Sequence, residues 1–562
     1  MARAGQKVAD TPVKRDLPVL KSHSLEGGYV MAKAKRPELN AMFAASGKTA
    51  VEIASAANIN IRTLRRYLAG SIANPRPREV GALSEVLQRD YSTVLAAIVG
   101  ASIQEGAVPE STLDSGRNSG TFAVSPMEDT VIVRPDTRPL CRDLDCAPFV
   151  PWLVERSELS FQEAYDLVAG EVAALENEPK SAQLSRKHTR SKVGRKEIAE
   201  AVTAFYGEDA RFYHATVDGE DVALAIMVQQ PSDVDVRIPF SISADHVSFL
   251  GASRFDSEPP LSDDGLRAAA HRLAEVELKQ TVLVDRPLYR LESFKFVNDG
   301  WSAELSESDF LSFALTNDLL EGELVNALAS GKPISPQTLP LRLQYLPSPT
   351  SILDFSSRCC VGGVAGLVAV AREDVGDYLL LVQQRSSKVL NLAGRFSVIP
   401  RAFHQPINEV GREIFFSKTL ERELEEELLG REDLDLLEDD RRVDPLHPAR
   451  STEAMKALRE PGVCRMECTG FGVNATNGNY ELAALVVIDD PSWWTAFGHL
   501  IEANWESAGL QRYSSLDTAG LASLIRDPRW SSGGLFEFLQ GLRRLAELEP
   551  RKVAAPDIKV MP

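Results

Sequence analysis

Apolar residues first settle into a helical spacing between positions 37 and 99. Glu38 to Ala45 forms one short helical pattern, Thr49 to Ala57 a second, and Ile61 to Leu68 a third that ends at Gly70. Thr49 is placed to cap the second helix, with Glu52 three residues on completing a capping box. Leu83, Val86 and Leu87, then Val94, Leu95 and Ile98, suit two further packing helices. Before this stretch, residues 1–35 are polar and basic without a period and read as a flexible arm. After it, Gln104 to Met127 is rich in Gly, Ser, Pro and Thr and reads as a linker.

From 130 to 345 the pattern mixes periods. Phe161 to Leu175 is an amphipathic helix. Phe212–Thr216, Val222–Gln229, Val234–Ile238 and His246–Gly251 alternate or run apolar as strands. Gly265 to Glu277 reads as a helix, Thr281–Val284 and Leu288–Phe296 as strands, and Asp309 to Ala329 as helical. This part predicts an α+β domain of unassigned role. His214, His246 and His271 lack ligand spacing within it and read as structural. The Pro-rich stretch from Pro333 to Ser351 reads as a lead into the C-terminal part. There Gly362 to Ala371 and Tyr378 to Gln383 read as strands around a turn, and Phe396-Ser-Val-Ile-Pro400 as a strand into a turn. Cys464 to Val473 and Tyr480 to Ile488 read as a hairpin across Ala475-Thr-Asn-Gly-Asn479, and Gly534 to Leu548 as a terminal helix.

Composition adds little to class but something to partners. At 562 residues, with 44% hydrophobic and 25% charged residues, the chain has the make-up of a multidomain globular protein. No apolar run reaches the ~18 residues of a membrane span, and the basic N-terminus has no apolar core behind it, so neither a membrane nor a secretory signal is expected. Six irregularly spaced cysteines suit reduced structural thiols in a cytoplasm. The net charge of −18 is uneven, because residues 1–90 hold fifteen Lys or Arg against eight Asp or Glu. A basic head on an acidic body fits a nucleic-acid-binding module. Lys180 to Lys196, with seven Lys or Arg, reads as a solvated basic helix or a second phosphate-contacting patch.

The stretch Val51 to Pro75, VEIASAANINIRTLRRYLAGSIANP, resembles the helix-turn-helix of the Cro/C1 (XRE) family. Ile53, Ala54, Ile59, Leu64 and Leu68 fall on that family's buried positions, and Asn58 stands where many members have Gly. The resemblance implies a second motif helix in the major groove. Asn60, Arg62, Thr63, Arg65 and Arg66 would then face double-stranded DNA, the three arginines at i, i+3 and i+4. Such heads bind as dimers on two half-sites, so a homodimer is expected.

Thr419 to Gly430, TLERELEEELLG, carries the second chemical signal. On a helix Glu423, Glu426 and Glu427 share one face, while Phe416, Leu420, Leu424 and Leu428 form an apolar seam on another. Crowded carboxylates suit a hard cation such as Mg²⁺; a solvated acidic helix is the plain alternative. Arg422-Glu-Leu-Glu-Glu-Glu427 resembles the second half of the Nudix box, R-E-U-x-E-E, with U aliphatic. Counting back from Arg422, the box's first Gly falls on Asn408 and its lone Glu on Ile414; the closing Gly falls on Leu429, and the usual Pro-Gly-Gly is Pro400-Arg-Ala402. The resemblance implies Mg²⁺ or Mn²⁺ on Glu423, Glu426 and Glu427, with Arg422 orienting them, and a substrate made of a nucleoside diphosphate linked to another moiety. A general base would come from Glu409, Glu413 or Glu481, and Arg401 would obstruct the pyrophosphate or contact it.

Together these readings predict a multidomain fold: an all-α helix-turn-helix head (36–100), a linker (101–129), an α+β middle domain (130–345), a C-terminal Nudix-like α/β/α sandwich (350–550) and a tail (551–562). The expected function is a cytoplasmic, nucleoid-associated transcriptional regulator that senses or hydrolyses a nucleotide-linked metabolite. A Nudix pyrophosphohydrolase with an accessory DNA-binding head and a non-catalytic scaffold are the alternatives.

Overall fold

The computed structural model describes isolated positions between 39 and 98, and residues 144–561 except 145, 180, 182–192, 208–209, 241–244, 252–259, 280–282, 284, 298–299, 387–393, 408–410, 412, 430–450 and 503–506. The chain divides into two compact units, Met1–Pro135 and Asp136–Pro562. In the first, Ile53 and Leu64 are buried in one cluster with Leu39, Phe43, Leu83 and Val94. Asn60, Arg62, Thr63, Arg65 and Arg66 lie outside the described residues, as do Ala54, Ile59 and Leu68.

In the second unit α1 (Phe161–Asn177) is followed by α2 (Arg195–Tyr206), β1 (Phe212–Val217), β2 (Glu220–Met227), β3 (Ile238–Pro239), β4 (Asp245–Phe249) and α3 (Asp263–Lys279). Next come β5 (Pro287–Val297), β6 (Gly300–Asp309), α4 (Leu319–Ala329), β7 (Gly362–Arg372), β8 (Asp377–Arg385), β9 (Phe396–Val398), β10 (Arg401–Phe403) and α5 (Phe416–Leu428). The unit closes with β11 (Cys464–Asn474), β12 (Tyr480–Ile488), β13 (Ser507–Ser514), α6 (Ser532–Leu548) and β14 (Ile558–Met561).

These strands correct the predicted fold class. The described region is mixed α/β around an eleven-stranded sheet, in the order β13-β8-β7-β12-β11-β2-β1-β14 with β10, β3 and β9 pairing at its sides. It is not an all-α head joined to a separate middle domain and a C-terminal sandwich. Strands expected in the middle domain lie in the same sheet as the C-terminal ones: Val473 of β11 pairs with Met227 of β2, and Cys468 with Ile238 of β3. The last strand, β14, pairs with β1 from His214↔Met561 to Val217↔Ile558. Local patterning shows where strands are, but pairing between residues some 240 apart is decided by which edges need hydrogen-bond partners, and that is not a local property.

Smaller differences have local causes. The stretch 234–238 ends a 3₁₀ turn at Val234 and enters a two-residue strand at Ile238 rather than forming one strand. The stretch 309–329 is two helices, Phe310–Ala314 and α4, because Thr316 and Asn317 interrupt the helical run. A second sheet, β4-β6-β5, joins β4 and β6 in parallel.

β7 is apolar on both sides and is buried on both. Val364, Val368 and Val370 face a core shared with Leu420 and Leu424 of α5, while Ala365, Leu367 and Ala369 face Leu535, Leu539 and Leu542 of α6. A strand buried on both faces reads as a continuous apolar run rather than an alternation, which GGVAGLVAVA is. No helix among the described residues is long and apolar enough to cross a membrane.

Candidate functional site

Helix α5 enters from Phe415, whose side chain offers no cap. The cap comes from another element: Asp245 on β4 accepts a hydrogen bond from the Ser417 N–H at 3.5 Å and another from Trp301 Nε1 at 2.8 Å. Burial pushes the Asp245 carboxyl up to about 6 against these hydrogen bonds. Beneath the first turn, His404 lies between the rings of Tyr289 and Phe416. Its Nε2 faces the Ile414 carbonyl at 3.0 Å and its Nδ1 the Thr419 hydroxyl at 2.8 Å. Burial pushes the imidazole down to about 3, with Arg422 adding to the effect and the Ile414 carbonyl opposing it. Neutral His404, donating through Nε2 and accepting through Nδ1, fits these partners.

These two groups give the unit opposite responses to pH. The depressed His404 contributes stability that is complete above about 6.5 and is lost as pH falls toward 3, at about 1.4 kcal/mol per pH unit for one proton. The raised Asp245 contributes stability that is complete below about 3.8 and is lost as pH rises through about 6. Between pH 4 and 6 the two slopes oppose each other. His404→Phe is therefore expected to flatten the acid limb of a urea-unfolding series and Asp245→Asn to steepen it. Parallel pH profiles for wild type and both variants would refute these assignments.

Past its first turn α5 presents Arg422, Glu423, Glu426 and Glu427, and the structure separates their roles. The Arg422 guanidinium donates to Glu423 Oε1 at 2.9 Å and to the Gln405 carbonyl at 3.2 Å. Glu426 is buried on the same helix. Glu427 Oε2 accepts the backbone N–H of Arg401 at 2.8 Å, and its Oε1 lies 3.9 Å from Arg385 Nη1. Glu425, the variable position of the motif, faces inward and accepts the Thr452 N–H that opens the next helix.

Arg401 is the first residue of β10, and its side chain points into the molecule rather than out over a phosphate site. Its Nη2 donates to Glu481 Oε2 on β12 at 2.7 Å and its Nη1 donates to the Glu537 carboxylate on α6. The N-terminus of α6 comes this close because residue 533 is Gly; a Cβ there would lie 2.4 Å from Glu481 Oε1. Burial opposes the charge on Arg401, but Glu481 and Glu537 outweigh it and raise its pKa. Glu537, fully buried, is held well above the usual carboxylate range by burial and by Glu481 in spite of Arg401.

Around these groups lies a cleft lined by Gly362, Gly363, Arg385, Arg401, Asn474, Asn477, Asn479 and Glu481. Its enclosed space is about 50 Å³. About 10–15 Å³ of such space holds one water, so the enclosed part takes roughly one tetrahedral group or three to five waters. A larger ligand would extend outward from it.

Of the expected general bases, Glu481 is bound to Arg401 and to Asn474 Nδ2 at 3.3 Å, Glu413 accepts the Ile407 N–H, and Glu409 lies outside the described residues. The sequence reading missed Glu537, Gly533 and the asparagines. Asn474, Asn477 and Asn479 carried only a turn signal, and Glu537 sits inside an amphipathic pattern that places no polar group in its core.

The carboxylates do not fit a divalent ion as they stand. Mg²⁺ requires about six oxygen ligands near 2.1 Å, whereas oxygens of Glu423, Glu427, Glu481 and Glu537 accept N–H groups of the chain itself. Among the described residues no group of three or more His, Cys, Asp or Glu side chains is arranged to hold a metal. No family model matches the chain, and no curated protein matches its sequence.

Proposed function

We propose that the protein is a DNA-binding transcriptional regulator in which the Nudix-like cleft between β7, β10 and β12 binds a nucleoside-diphosphate-linked metabolite as a signal rather than as a substrate for rapid hydrolysis. The observation that carries this reading is the cleft itself. It is lined by the Arg385 guanidinium, three asparagines and a strand that begins Gly362-Gly363, while Arg401 and Glu481 are tied to each other. Such a surface recognises a polar ligand through directed hydrogen bonds. Among the described residues, Glu427 and Glu481 accept N–H groups of the chain, which makes them poor general bases for water.

The DNA-binding part of the proposal rests on the sequence: the basic N-terminal segment and the spacing of Arg62, Arg65 and Arg66. A ligand shifts DNA affinity only if it binds two states of the protein unequally. A homodimer on paired half-sites is part of the same proposal.

The test is genome-wide occupancy of the intact protein, followed by binding to the recovered sites with and without ADP-ribose and related diphosphates. Changing Arg62, Arg65 and Arg66 together to Ala is expected to lower affinity roughly a hundredfold or more, since each base or phosphate contact contributes about 1–3 kcal/mol. Occupancy indifferent to those changes would sink the regulator. Rapid Mg²⁺-dependent turnover of ADP-ribose by the wild-type chain would favour a hydrolase instead.

A further inference from the structure

Among the described residues, one position binds three carboxylates at the cleft. Arg401 engages Glu427 of α5 through its backbone N–H, and Glu481 of β12 and Glu537 of α6 through the two ends of its guanidinium. The three carboxylates come from three separate elements, so no helical spacing brings them together. Arg401 is the shared centre. Its side chain is 14% exposed, that of Glu481 5% and that of Glu537 0%. At such burial the carboxylates need a positive charge beside them.

We infer that Arg401 is a built-in counter-cation that takes the place of a divalent metal ion in this cleft, so that the wild-type protein binds its ligand without Mg²⁺ or Mn²⁺ and loss of the guanidinium opens a cation site. The first half of this inference rests on the ligand-binding reading above, whereas the second half stands without it. A guanidinium is a planar fork with fixed N–H directions, and it spans two carboxylates where a compact ammonium would reach one. In doing so it places a fixed positive charge between Glu481 and Glu537, where a metal ion would meet repulsion. The Arg385 guanidinium, 3.9 Å from Glu427, supplies a second positive charge to the same group. The two guanidinium groups thus offset carboxylate charge from inside the protein, with no soluble ion.

The experiment measures Mn²⁺ binding by electron paramagnetic resonance in the full-length chain, with Mn²⁺ alone as the probe. Wild type is expected to show no bound Mn²⁺ that depends on Glu427. Arg401→Ala is expected to bind Mn²⁺ at least about tenfold more tightly than wild type, and Glu427→Gln added to it is expected to reverse the gain. Because Arg401→Ala strips charge from a buried cluster, Arg401→Ala with Glu537→Gln is the second variant. It removes the buried carboxyl that Arg401 had engaged and leaves Glu427 and Glu481 as ligands.

Free guanidinium at millimolar concentration, below the denaturing range, is expected to raise the melting temperature of Arg401→Ala where tetramethylammonium does not. An arginine that only packs would give the loss of stability without the Mn²⁺ gain. Bound Mn²⁺ in wild type that disappears in Glu427→Gln would overturn the inference, as would folded variants that bind no more Mn²⁺ than wild type. Either result leaves the sensor reading standing, because that reading is decided by the effect of diphosphates on DNA binding.

Discussion

A fragment of residues 350–550, the extent of the domain that the sequence pattern suggests, is expected not to fold by itself. Cutting there removes β1, β2 and β3 from the sheet and leaves β11 as a bare edge, without the partners of Val473, Asn474, Glu467 and Cys468. It also uncovers α6, whose apolar residues are buried on nearly every side. Phe536 loses the edge-on Tyr213 ring at 5.1 Å, and Gln540 loses the Val234 carbonyl at 2.8 Å and the Tyr213 hydroxyl at 3.2 Å. Phe471 on β11 loses the Phe294 ring stacked on it. Each large apolar side chain returned to water costs about 1.5–3 kcal/mol. Exposing even four of them forfeits about as much as the 5–15 kcal/mol that holds a typical domain together. Circular dichroism and a urea titration decide the matter: the fragment should show no cooperative transition, while residues 136–562 should show one. A fragment melting cooperatively on its own would mean that the shared sheet is dispensable.

The same comparison shows what the sequence disclosed. β12 runs from Tyr480 to Ile488, where the apolar run predicts it, and α6 begins two residues before its predicted start. The seam Phe416, Leu420, Leu424 and Leu428 is buried as its spacing requires. Such features are local, since period and turn chemistry are written in neighbouring residues. β6 was missed although Trp301, Ala303 and Leu305 alternate inward, because the Ser and Glu between them give the segment a polar look. The candidate site was half legible. The acidic helix could be read from R-E-L-E-E-E, but what its carboxylates bind could not. Arg401 meets Glu481 and Glu537 across separations of 80 and 136 residues, and nothing local to position 537 distinguishes that glutamate from a solvated one. Sequence spacing also suggested a shared function for Glu423 and Glu427, whereas the structure gives one to Arg422 and the other to Arg401.

The stretch from Pro333 to Ser351, which in sequence reads as a lead into the C-terminal part, is part of the scaffold, which leads to the second large effect. Arg342 is fully buried and donates through Nη1 to the Ala475 carbonyl and through Nη2 to the Thr476 carbonyl, both at 2.6 Å. Arg358 donates to the carbonyls of Ser351, Ile352 and Asp354 and, at 2.9 Å, to that of Gly478. The two guanidinium groups therefore hold the turn between β11 and β12, which carries Asn477 and Asn479 into the cleft. Gly478 completes the turn with φ of 80°, and a Cβ there would lie 2.8 Å from Arg358 Nε. Arg342→Met keeps most of the volume but leaves two buried carbonyls without their donor. At about 1–3 kcal/mol for each orphaned group, the expected loss is about 2–6 kcal/mol. Arg358→Met removes the donor to four carbonyls and leaves those of Ser351 and Ile352 without one, a comparable loss, and Arg342→Lys should not rescue, because the three N–H groups of an ammonium radiate from one atom and do not reproduce the separated donors of the fork. Urea midpoints give the stability. Amide hydrogen exchange at residues 475–479 gives the site of damage, where protection should fall before it falls in β12. Loss spread evenly over the sheet, or Arg342→Lys behaving as wild type, would show that the turn does not depend on these forks; loss confined to the turn would tie the shape of the cleft to a segment some 130 residues away.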